Sequence, residues 1–175
     1  MDAGEVEGRT AARRVGVVDA VTTAGMTVSA IVFLRIAFGL WMLYHEAWEK
    51  LHTWTPQTLP RIIGMWAKNP EVAGFYRSFL QDVAAPNAGF FRGLVTAWEL
   101  VFALCMLAGL GVRVLAPIQV FANLNYILAK TYSSPAANLD RLTIMILVVL
   151  FLVGAGRYFG LDGALRRRFP RLSWL

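Results

Sequence analysis

The sequence predicts an all-α membrane protein: an up-down bundle of four transmembrane helices with an amphipathic helical loop between helices 1 and 2. Two observations carry this. Of 175 residues, 57% are apolar and 16% charged, whereas soluble domains carry about a quarter of their residues as Asp, Glu, Lys or Arg. The charges are too few to coat a water-soluble globule, which removes a soluble enzyme. The apolar residues also gather in long blocks and do not alternate with polar ones. A helix rising about 1.5 Å per residue needs about 20 such residues to cross roughly 30 Å of hydrocarbon.

Taken in order, residues 1–25 read as a disordered cytoplasmic leader, acidic before it is basic. The apolar block that follows is too long for a signal peptide and runs into Glu46, Glu49 and Lys50. The membrane domain covers 26–165, with spans at about 27–48, 90–110, 114–130 and 141–159. Arg35 interrupts the first and Glu99 the second; the third holds Gln119, Asn123 and Asn125; the fourth contains the unbroken run IMILVVLFLVGAG. Gly109 and Gly111 suit the positive φ of a tight turn, and Pro117 fits the first turn of a helix. Short links imply antiparallel neighbours.

The stretch between the first two spans is too polar to cross a bilayer. Surface helices are expected at about 60–83. One runs over 60–68, and a second is capped by Asn69 and starts at Pro70, with Val72, Phe75, Tyr76, Phe79, Leu80 and Val83 at helical spacing. Trp48, Trp54 and Trp66 favour the headgroup level, so this loop is expected to lie on the membrane and cover one end of the bundle. Residues 166–175 form a basic tail.

The formal net charge is +6. Arg13, Arg14, the run Arg166-Arg167-Arg168 and Arg171 flank apolar spans and lie beside no base-reading fold. Anionic headgroups and the positive-inside bias account for them better than nucleic acid does. Both termini are then cytoplasmic in an inner membrane, with the covering loop outside. Cys105 is the lone cysteine, so the chain has no internal disulfide or C-x-x-C pair, and a redox role needs a cofactor or partner.

A charge near the centre of a spanning helix costs at least about 2.5–3.5 kcal/mol. Arg35 and Glu99 both fall near the middle of antiparallel spans, where they are expected to meet as an ion pair or to serve a substrate or proton. At 100° per residue His45, Glu49 and His52 share a face, either as an interfacial polar cap or as groups that exchange protons; neither metal nor haem binding is expected. Asn123, Tyr126 and Lys130 share a face of the third span and either link helices or hold a ligand carbonyl. Gly93, Ala97 and Ala108 on the second span are expected to pack against a neighbouring helix.

Several segments together resemble the DoxX superfamily, in particular its DoxD-like branch, the membrane subunit of thiosulfate:quinone oxidoreductases. They are FLRIAFGLWMLYHEAWEKL, NPEVAGFYRSFL, PNAGFFRGLVTAWELVFALCMLAGLGVR, the loop SPAAN at 134–138 and the closing GAGRYFGLDGALRRR. The resemblance covers about residues 29–165, with Arg35, Gly39, Lys50, Glu99, Gly109, Arg113, Asn123, Gly156 and Asp162 at matching positions. It implies a four-span subunit of a quinone-linked membrane redox complex, tied to the oxidation of reduced sulfur compounds. Quinone would be its diffusible substrate and other subunits its partners. On that reading Glu99 and His45 exchange protons, while Arg35, Glu49, Lys50, Asn123 and Tyr126 bind the quinone. The alternative is a non-catalytic membrane subunit that anchors or stabilises a larger complex; small-molecule transport is a third class.

Overall fold

In a computed structural model, residues 22–131 and 133–171 are described, and no strand occurs among them. The leader up to residue 21 and the end of the basic tail lie outside the described residues. Four helices are long and apolar enough to cross a membrane. They are α1 (Thr22–Thr53), α4 (Ala88–Ala108), α5 (Val112–Lys130) and α6 (Pro135–Val153). Between the first two lie α2 (Thr58–Lys68) and α3, in which Gly74–Ser78 continues as the π-helical Phe79–Ala84. A short α7 (Leu161–Arg168) follows the last span. The chain is an all-α, four-helix membrane protein. α1 packs along α4 and α5 along α6, and Phe38, Met42, Phe102, Met106, Leu147 and Leu150 fill the space between the pairs. Phe33, Leu40, Leu94, Phe121, Met145 and Leu152 point outward and are exposed, as expected of side chains that lipid covers.

Three boundaries differ from the hydropathy reading, each for a local reason. α1 continues to Thr53 through the polar segment HEAWEKLH, because Glu46 and Lys50 pair along the helix at 2.6 Å. α6 occupies 135–153 instead of 141–159. Its polar start is tolerated because Lys130 holds the buried Asp140 at 2.8 Å, and Gly154, at φ 61°, ends it. Asn69 does not start a helix at Pro70. Its Oδ1 accepts from the Glu71 N–H at 3.0 Å, while Arg77 Nη2 donates to the carbonyls of Asn69, Pro70 and Val72 at 3.1, 3.1 and 2.9 Å. Those carbonyls are thereby satisfied without a helix, which begins only at Gly74.

α2 and α3 share a second core with the ends of α4 and α5, built on Leu59, Ile63, Val72, Tyr76 and Leu80 against Ala88 and Ala129. They cover that end of the bundle. The small residues of α4 do not behave as expected: Gly93, Ala97 and Ala108 are exposed, and a methyl group built at Gly93 meets nothing within 4 Å. α1 packs along α4, and among the described residues no helix covers the stripe. Gly93→Ala is therefore expected to stabilise the isolated protein by about 0.5–1 kcal/mol, the helix-interior difference between the two residues. Thermal unfolding in detergent checks this, and a loss of stability would mean the face is already occupied.

Candidate functional site

The site begins with an irregularity in α1. Residues Met42–Trp48 are π-helical, a wider turn that accommodates a surplus residue and recurs at functional sites. Beyond it Lys50 is turned inward, with its side chain 10% exposed. Its ammonium group pairs with Glu46 at 2.6 Å on its own helix and with Glu99 of α4 at 2.7 Å. The Glu99 side chain is 2% exposed, and its Oε1 accepts from the Tyr126 hydroxyl of α5 at 3.3 Å. Lys130 lies over the Tyr126 ring, 5.4 Å from its centroid, and donates to Asp140 of α6 at 2.8 Å. One polar wall thus draws on all four spans.

This wall bounds a cavity of about 320 Å³. Trp41, Trp54 and Trp66 face it from α1, from the turn after α1 and from α2. His45, Glu49, Lys50, Glu99, Asn123 and Tyr126 all line it, so sequence reasoning assembled most of one site from three helices. His45 and Glu49 stand at the exposed side. His52 turns away, with Nδ1 2.9 Å from the Trp48 carbonyl and its ring against that indole at 4.0 Å. The Asn123 amide donates to the Gln119 carbonyl of its own helix at 2.8 Å and so does not link helices. Gln119 in turn accepts from Trp98 of α4 at 2.6 Å. Among the described residues no group of three or more His, Cys, Asp or Glu side chains is placed to hold a metal ion.

Arg35 is elsewhere, and the expected Arg35–Glu99 pair does not form. Arg35 is 1% exposed. Its Nη1 donates to the carbonyls of Ala155 and Tyr158 at 2.8 and 2.9 Å, and its Nη2 to that of Phe159 at 3.4 Å. It sits beside Gly109, where an added methyl carbon would come within 2.5 Å of Nη1. Gly109 lies ten residues beyond Glu99, about 15 Å at 1.5 Å per residue. The apolar block alone puts the centre of α1 near Arg35, but the helix runs on to Thr53, which brings Lys50 to the level of Glu99. At the Gly109 end Asp162, 1% exposed, accepts from the N–H groups of Gly111 and Val112 at 2.6 and 3.2 Å and caps α5. Arg35, Gly109, Gly156 and Asp162, four positions that carry the resemblance, gather in this latch.

Sequence reasoning missed Glu46, Gln119 and Asp140 as site residues. Glu46 and Lys50 carry the i, i+4 signal of a helical ion pair, and Asp140 is a carboxylate beside an apolar run. The cavity thus presents four carboxylates, Glu46, Glu49, Glu99 and Asp140, and two ammonium groups, Lys50 and Lys130. Chemically it offers a carboxyl group held between a cation and a phenol, with a second carboxylate one step nearer the exposed side.

The cover is tied down by polar contacts. Glu71 Oε2 accepts from the hydroxyls of Thr131 and Ser133 at 3.1 and 2.6 Å; Arg92 donates to the Trp54 carbonyl at 3.1 Å; the Tyr76 hydroxyl donates to Asn125 at 3.4 Å. Burial pushes the Tyr76 phenol up to about 12, so it stays a donor. The hydrogen bonds from Ser133 and then Thr131 hold the Glu71 carboxyl below its ordinary value of 4.5. A depressed carboxylate contributes stability above its unfolded value and loses it as the pH falls through the folded one. Acidification from pH 4.5 downward should therefore lower the amide protection of α2 and α3, expressed relative to the intrinsic exchange rate at each pH. In Glu71→Ala that protection should already be low at neutral pH, and its acid dependence should be weaker; an unchanged acid response in the variant would assign it to other groups.

Comparison with known proteins gave no match: no family model, no curated protein and no solved structure is similar to this chain.

Proposed function

We propose that the chain is a quinone-facing integral subunit of a membrane oxidoreductase complex, with the cavity as the site for the quinone head. The observation that carries the reading is the run Glu46–Lys50–Glu99–Tyr126, which leads from the half-exposed Glu46 to a buried carboxyl inside a tryptophan-walled space. Small-molecule sites are concave, mostly apolar and carry a few convergent polar groups. This cavity, at about 320 Å³, has room for one substituted ring. Lys50 and Tyr126 donate to a ring carbonyl, and Asn123 orients the ring from the opposite helix. Glu99 passes protons inward from Glu46, with His45 at the mouth. Two electrons from a partner subunit and two protons through these residues convert quinone to quinol.

Arg35 has no part in the cavity, and its role is to hold the far end of the bundle. The resemblance to the DoxD-like branch suggests a reduced sulfur compound as the electron donor. The positive-inside bias of the basic residues supports cytoplasmic termini in an inner membrane, which would open the cavity toward the outer face. The test is Glu99→Gln in the complex purified with its partners. Loss of a positioned acid–base group is expected to lower quinone reduction by about 10²-fold or more, with assembly unchanged. Full turnover in that variant, together with no quinone retained by the wild type, would sink the reading and leave the anchoring role in its place.

A further inference from the structure

We propose that the end of the bundle opposite the cavity is a binding site for the phosphate groups of anionic phospholipids. Past the end of α6 and around the start of α5 stand Arg113, Arg157, Arg166, Arg167, Arg168 and Arg171. The only carboxylate in 109–114 and 154–171 is Asp162, and its oxygens already accept from the Gly111 and Val112 N–H groups. Six arginines therefore share these segments with one carboxylate, which is already committed. Arg166, Arg167 and Arg168 are consecutive in α7, and Arg157 lies within reach of Arg113 and Arg166: burial first, and then those like charges, hold its guanidinium below the ordinary value.

A second observation places this cluster against a bilayer. Phe159 is 87% exposed and has φ 48°, a left-handed conformation that is costly for any residue but glycine. The conformation is imposed from within, since the buried Arg35 binds the carbonyls of Tyr158 and Phe159. That conformation leaves the aromatic ring outward, at the level where α4 and α6 end and α5 begins. Leu161 and Phe169 are exposed in the same segment. Apolar side chains beside arginines at a helix end are the pattern of an interfacial anchor, rings in the acyl boundary and guanidinium groups at the phosphates. A free anion would satisfy the charges and leave Phe159 in water, whereas a bilayer supplies both the phosphates and an apolar phase.

The test uses the purified full chain in neutral detergent, offered equal amounts of phosphatidylglycerol and phosphatidylcholine, with retained lipid counted by native mass spectrometry. A preference for phosphatidylglycerol of at least about five-fold is expected, falling as salt is raised. Arg166→Gln, Arg167→Gln and Arg168→Gln combined should bring it near parity with an unchanged unfolding temperature. Phe159→Gly, which relaxes the backbone, should raise the unfolding temperature while lowering retention of either lipid. Equal retention by the wild type, or an unchanged preference in the triple variant, overturns the proposal. Displacement by millimolar inorganic phosphate or by a short RNA also overturns it, assigning the cluster to a free anion or to nucleic acid.

Discussion

Lys50→Met is expected to destabilise the protein by about 3–5 kcal/mol, the cost of leaving a buried charge without its partner. The Glu99 side chain is 2% exposed and faces Lys50 at 2.7 Å, and the Tyr126 hydroxyl donates to its other oxygen at 3.3 Å. Glu46 loses its partner as well, but at 32% exposure it can turn to water. The double variant Lys50→Met, Glu99→Leu should recover most of the loss, because apolar pairs of similar volume replace buried ion pairs at little cost. Reversible unfolding in detergent measures both. A single variant as stable as the wild type, or a double variant weaker than the single, would show that the pair does not bear on stability. The stable double variant is also a direct probe of function: an anchoring subunit carrying it should support full turnover, and a quinone-binding one should not.

Gly109→Ala is expected to cost about 2–5 kcal/mol, whereas Gly111→Ala should cost only about 1–2. Both residues have φ 65°, so each substitution carries the left-handed penalty of roughly 1–2 kcal/mol. Only at Gly109 does the new methyl carbon meet Arg35 Nη1 at 2.5 Å and the Gly160 backbone at 2.8 Å, which adds an overpacking cost of about 1–3 kcal/mol. At Gly111 the nearest atoms belong to Leu115 at 3.7 Å. Measuring the two variants side by side separates backbone conformation from packing, and equal losses would mean that the Arg35 latch yields easily.

The fold was legible because bilayer thickness constrains helix length so strongly: four apolar blocks and short glycine links suffice for the architecture. Helix ends were less legible, since hydropathy treats Asp140 and Lys50 as termination signals when each is neutralised by a partner that only the fold supplies. The site was read in part for the same reason. Residues sharing a face, such as Asn123 and Tyr126, follow from periodicity, but the identity of the Glu99 partner depends on register between helices. A shift of α1 along α4 exchanged Arg35 for Lys50. No propensity rule locates the π-helical turn that helps bring Glu46 and Lys50 inward, so Glu46 went unread as a site residue. A regular helix across that turn would put His52 on the site face, whereas the π-helical turn carries it to Trp48.

That turn also divides α1 into two segments whose helical phases are set separately. The N-terminal segment is clocked by Arg35 at the glycine latch, and the C-terminal segment by Lys50 at Glu99. An uninterrupted α-helix advances by 100° per residue, so a one-residue insertion or deletion elsewhere in α1 would rotate one of these fixed points out of place. Within Met42–Trp48 the spare residue acts as slack, and the chain can change length there while both ends stay engaged. The membrane mouth can therefore diversify in sequence without disturbing the far half of the bundle.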